Sequence, residues 1–237
     1  TGISATGRPG RFRGEFLMIN RHPETDLLVE YVSGSLSIAP CVAVTTHLQY
    51  CTQCSDSVES LGEIGGELLT TAEAVPVSDG LFDKIIDDLD SSVGEIPAKE
   101  SPRQFSDAIS TQLPEFVQRL LPDGELDWRR LFPSLKVAPL SVGEDKYELA
   151  LHRIDAGGKA PEHDHLGREI TVVLTGSFSD EDGVYQPGDF LVRQPGDTHR
   201  PFAARNQECI CLSVLEAPIK LTGLKRILNP FLSFTPS

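Results

Sequence analysis

The 237 residues predict an α+β fold in two parts: a small helical bundle stapled by a metal ion, then an antiparallel β-structure. Three observations predict it. Before residue 75, apolar side chains recur every three or four positions, the period of a helix. After Tyr147 they alternate, the period of a half-buried strand. Each half also carries its own set of imidazole, thiol or carboxylate side chains at ligand spacing.

Taken in order, residues 1–17 are rich in Gly, Arg, Thr and Ser without periodicity. They read as a leader or disordered arm, with a native start at Met18, the only methionine. Leu27, Leu28, Tyr31 and Val32 then predict a helix that Gly34 ends. A second helix is expected from Cys41 to about Tyr50. A third runs from Thr52 to about Thr71, with Val58, Leu61, Ile64, Leu68 and Leu69 apolar. Three short helices bury little surface, and a unit of that size usually needs a staple.

His47, Cys51 and Cys54 read H-x3-C-x2-C. On one continuous helix, steps of about 100° would turn all three to one side. Tetrahedral zinc takes four ligands, so one more is needed. His22 is the only other histidine in this half, and Cys41 is the rival. Five cysteines, an odd number, do not suggest a disulfide framework.

Asp79 to Asp90 predicts an acidic amphipathic helix with Leu81, Phe82, Ile85, Ile86 and Leu89 on one face. Such a face more often packs on its own protein; the other use is docking on a partner. Ser91 to Pro102 reads as a linker, and Pro114 to Leu121 as a short helix closed by Pro122 and Gly124. The β-part should begin near Asp127, with bulky Trp128 and Phe132 covering one end. Strands are expected around 147–154, 170–174, 189–193 and 209–215. The tail from Leu221 to Ser237 should lie along the surface. The resulting division is 1–17, a helical metal-binding domain at 18–75, an acidic helical connection at 76–127, and a β domain at 128–237.

The second ligand set lies in Gly157-x5-His163-x-His165-x3-Glu169-x6-Gly176. Two histidines one residue apart on a strand share a face. Imidazole and carboxylate together suit a borderline divalent metal: zinc, or nickel or iron. Gly188 to His199 supplies one more imidazole across a hairpin. These paired motifs resemble a cupin, which implies a small antiparallel barrel with His163, His165, Glu169 and His199 on one metal. Gln194 and Ala203 depart from the family's second motif, and neither departure removes a ligand. His152 falls outside the motif and reads as structural or exposed. Cys209 and Cys211 share a strand face and read as buried filler.

The helical set, H-x24-H-x3-C-x2-C from His22 to Cys54, resembles the zinc-binding anti-sigma domain. With a cupin after it, residues 18–237 resemble a ChrR-type anti-sigma factor. The resemblance selects His22 over Cys41 as the fourth ligand. It implies that the helical domain clamps an extracytoplasmic-function sigma factor. It also implies that the cupin serves release on an oxidative signal of the singlet-oxygen type. The alternative is a metal-dependent cupin dioxygenase or isomerase with an accessory zinc module; no catalytic acid/base pair stands out. A second copy meeting through the cupin half is the other protein partner considered.

Net charge is −14, and residues 18–130 hold seven basic and 20 acidic side chains. Phosphate would be repelled, which argues against nucleic acid and favours a basic protein partner. No apolar run reaches the roughly 18 residues that cross a bilayer. The expected compartment is the cytoplasm.

Overall fold

The structure, a computed structural model, describes residues 18–91, 109–121 and 125–223, with Arg226, Ile227, Asn229, Phe234 and Pro236 of the tail. The predicted leader, all but the first residue of the predicted linker, the Pro122–Gly124 stop and most of the tail lie outside the described residues.

Helices α1 (Thr25–Val32), α2 (Ile38–Leu48), α3 (Thr52–Thr71), α4 (Leu81–Ser91) and α5 (Glu115–Arg119) come first. α2 begins three residues before the expected Cys41. Pro40 falls in its first turn, where backbone N–H groups have no intrahelical partner to lose. The Ser37 side chain does not cap this end; the Ala39 N–H donates instead to Glu144 Oε2 at 2.8 Å. α2 and α3 are separate helices. Cys51, in extended conformation (φ −109°), stands at the head of α3, so the ligands do not sit on one continuous helix.

The strands are β1 (Arg129–Phe132), β2 (Leu135–Leu140), β3 (Glu148–Ile154), β4 (His163–His165), β5 (Glu169–Thr175), β6 (Phe178–Asp180), β7 (Gly183–Tyr185), β8 (Phe190–Arg193), β9 (Thr198–His199), β10 (Phe202–Ala203), β11 (Cys209–Leu215) and β12 (Ile219–Leu221). They form a six-stranded sheet in the order β1-β2-β3-β11-β5-β8, and two three-stranded sheets, β10-β6-β7 and β12-β4-β9. All pairs are antiparallel. The expected barrel is therefore three sheets around one interior, with no hydrogen-bonded closure among the described strands.

Alternation sorts the large sheet into two faces. Leu149, Leu151, Ile170, Val172, Leu174, Ile210, Leu212 and Val214 point outward and pack with Leu27, Leu28, Val42, Ala43, Val44 and Val117 of the helices. Val173, Cys209, Cys211, Leu191 and Ile154 point inward with Phe178 and Tyr185. The helical part thus borrows its core from the sheet: α2, apolar all round, is buried over most of its length. Trp128 joins the helix-side core, while Phe132 faces the interior, so the two aromatics do not cover one end together.

Among the described residues, none covers the apolar face of α4. Leu81, Phe82, Ile85, Ile86 and Leu89 are all exposed, Phe82 at 73% and Leu89 at 59%. The C-terminal half of α3 likewise exposes Ile64, Leu68 and Leu69. No described helix is long and apolar enough to cross a membrane.

Candidate metal centres

Two clusters gather ligand atoms that all lie within 4.8 Å of one another: His22 with His47, Cys51 and Cys54, and His163 with His165, Glu169 and His199.

In the first, the break between α2 and α3 does the placing. His47 closes α2, Cys51 opens α3, and Cys54 follows one turn later with its N–H donating to Cys51 Sγ at 3.4 Å. His22 reaches in from the extended segment before α1. Its Nδ1 is 3.4 Å from both sulfurs, close to the roughly 3.6 Å edge of a tetrahedron with Zn–S near 2.3 Å and Zn–N near 2.05 Å. His47 Nδ1 donates to the Gly188 carbonyl at 2.6 Å, and its buried Nε2 has no hydrogen-bond partner. That arrangement leaves the Nε2 lone pair free, as a metal-binding imidazole requires. Burial holds His47 neutral, its pKa lowered to about 4. Burial and the neighbouring Cys51 push the Cys54 thiol up to about 12 without an ion; a bound cation would reverse that. Cys41 stands apart, half-buried, its thiol on the Leu36 carbonyl.

The β-hairpins place the second cluster. His163 and His165 point the same way from β4, Glu169 opens β5, and His199 lies opposite His163 in the β4–β9 pair. His163 Nδ1 donates to Pro161 O at 2.8 Å, and His199 Nδ1 to Asp180 Oδ2 at 3.0 Å. Their Nε2 atoms then face each other at 3.1 Å as two lone pairs. Two acceptors at that distance repel, unless a cation sits between them; roughly 3.0–3.4 Å is the spacing of two imidazoles on one metal. Glu169 Oε2 and both His165 ring nitrogens are buried without hydrogen bonds, although Oε2 lies 3.3 Å from His165 Nδ1. Glu169 Oε1 is held by Ser213 at 2.8 Å and Thr171 at 3.3 Å. Burial raises the Glu169 pKa, but the imidazoles of His165, His163, His199 and His152 outweigh it and bring it down to about 2. Burial lowers His163 to about 4. Both donor sets fit a divalent cation.

An arginine that forks between Asp180 and Asp182 stands behind this cluster. Arg193 donates to Asp180 at 2.6 Å, and Asp180 holds His199. These partners escape sequence reading because they meet across three hairpins.

His152, read from sequence as structural or exposed, is half-buried. It lies inward on β3, between Val137 and Cys211, and walls a cavity of about 200 Å³ together with His163, Glu169 and His199. Its place on the inward side with Ala150 and Ile154 was the available signal. Cys209 and Cys211 are buried with their sulfurs 3.7 Å apart, and belong to neither cluster.

Comparison with known proteins gives three findings. Residues 118–217 match the family described as the ChrR cupin-like domain. Over 216 residues, the chain is 32% identical to the anti-sigma-E factor ChrR of Cereibacter sphaeroides, covering 91% of this chain and 99% of that protein. The crystal structure of Rhodobacter sphaeroides SigE in complex with the anti-sigma ChrR superposes with a TM-score of 0.70 at 30% identity, over 84% of this chain and 100% of that one.

Proposed function

Because this chain belongs to the ChrR family of anti-sigma factors, we propose that its helical part holds an extracytoplasmic-function sigma factor in a zinc-dependent grip. In this reading His22, His47, Cys51 and Cys54 bind zinc. His163, His165, Glu169 and His199 bind a second divalent metal, zinc before nickel or iron, in a cupin domain at 128–237. That domain makes release responsive to an oxidative signal. The helical module corresponds to residues 18–75, with 76–127 as its connection.

The observation that carries the reading is the convergence of two thiols and two imidazoles from three separate segments on one point. Thiolates with imidazoles favour zinc over harder ions. Structural zinc sites contribute on the order of 10 kcal/mol to folding, and this one ties the N-terminal segment, α2 and α3 together. The exposed apolar faces of α3 and α4 are the surface left for a partner. The acidic residues around them suit a protein that itself binds nucleic acid with basic surfaces. The family is one of regulators, which sets aside the cupin-enzyme alternative.

The test is co-purification with the sigma factor. Wild type should retain it with about one zinc in the helical site. Cys51→Ser/Cys54→Ser should lose zinc, helical order and the sigma factor together. A double variant that stays folded without zinc and still holds the sigma factor overturns the reading.

A further inference from the structure

The cavity in front of the second cluster has a composition that metal ligation alone does not require. Three of the four cluster residues, His163, Glu169 and His199, form one wall; His165 is not among its lining residues. The remaining walls are mainly apolar: Leu131, Leu135, Val137, Ala150, Phe178 and Ile219. His152 is set among them, and no described residue hydrogen-bonds its ring. His152 is half-buried, and its ring faces the cavity, where a ligand can hydrogen-bond it. Of the other charged lining residues, Arg129 is exposed and holds Asp127, and Glu148 stands at the start of β3. The size is informative: a dry cavity of about 150 Å³ takes benzene, so about 200 Å³ suits roughly eight heavy atoms.

We infer that this cavity binds a small monocarboxylate with a compact apolar body, its head on the cupin metal and on His152. The inference rests on the reading above that the cluster holds a divalent ion. Such an ion, offset by Glu169 alone among its four ligands, leaves one positive charge in apolar surroundings. An anionic head neutralises it, whereas a neutral head leaves it uncompensated. The apolar walls take the body and exclude short, fully hydrated anions.

Hexanoate, with eight heavy atoms, is the probe. Its binding is measured by calorimetry and thermal shift on the full-length protein, with metal content determined in the same samples. Hexanoate should bind the metal-loaded protein and raise its Tm. Each methylene is worth roughly fourfold in Kd and hexanoate has four more than acetate, so acetate should bind about 250-fold more weakly. 1-Hexanol should bind at least tenfold more weakly than hexanoate, and His152→Ala should cost about tenfold. Ala150→Phe, which fills the slot, should abolish binding; Leu131→Trp, at an exposed lining position, does the same job if Ala150→Phe fails to fold. Two metals per chain with no hexanoate binding overturns the cavity proposal alone. A chain that never holds the second metal overturns the metal reading and the proposal with it. Hexanol binding as tightly as hexanoate overturns the anionic head, and unchanged binding in both slot variants overturns the location.

Discussion

His47 gives one ring nitrogen to the Gly188 carbonyl and keeps the other free in a buried setting, and His163 gives one to Pro161 and turns the other to His199. Burial lowers both to a pKa of about 4. An unfolded histidine titrates near 6.5. Between those values the unfolded chain takes up protons that the folded chain refuses, so stability falls as pH falls, by about 1.4 kcal/mol per pH unit for each histidine. Below about 4.5, Glu169, lowered to about 2, adds a further loss in the same direction. Calorimetry of the β-half in metal-stripped protein should therefore show Tm dropping steadily from pH 6.5 to 4; a flat Tm across that window counts against a neutral buried His163. Gly176 makes a second prediction at this scale. It sits at φ +70°, and a Cβ there would meet Glu208 O at 1.9 Å. That oxygen belongs to the backbone and has little room to move. Gly176→Ala should cost about 3 kcal/mol, roughly 6–12 °C in Tm for a domain of this size.

At the scale of elements, α4 is the exposed one. Its apolar stripe meets solvent although its pattern is that of a packing helix. Exposed positions seldom change stability by more than about 0.5 kcal/mol, so Phe82→Asp with Ile85→Asp should leave Tm unchanged. If α4 grips the sigma factor, the same variant should weaken its capture at least tenfold, and unchanged affinity would remove α4 from the interface. The helical period was legible because each repeat is local: the bounds of α3 and the existence of α1 and α4 follow from side chains a turn apart. The start of α2 was not, because its cap is Glu144, 105 residues away. Ligand spacing was legible for the same local reason in H-x3-C-x2-C and H-x-H-x3-E. The order β3-β11-β5 was hidden, since it joins strands whose neighbours in sequence lie elsewhere, and with it the inward position of His152. For α4, the sequence left self-packing and docking both open, and among the described residues its apolar face is uncovered.

At the scale of the molecule, one turn of the β-half grips the helical metal centre from outside. The fully buried Asp189 accepts from the Asn20 and Arg21 N–H groups at 2.8 and 3.1 Å, which fixes the segment carrying His22. Its other oxygen accepts from Gln186 N–H at 2.9 Å, which shapes the turn. Gly188 in that turn, at φ +92°, approaches Ile19 and Tyr50 closely and offers its carbonyl to His47. Phe190 N–H donates to Arg21 O, and its ring meets His47 edge-on. From Phe190 the chain continues as β8 to Arg193, which holds Asp180 and through it His199 of the second centre. A short, contiguous set of contacts thus joins the two centres, and the outer partners of metal ligands commonly carry 10–100-fold in affinity. Asp189→Ala should leave the second metal in place, because none of that cluster's ligands touches Asp189. It should speed loss of the helical metal to a chelator by roughly 10–100-fold, and sigma-factor capture should fall in step. Metal release at the wild-type rate from a folded Asp189→Ala protein would mean that the two halves share a core without sharing control of the zinc.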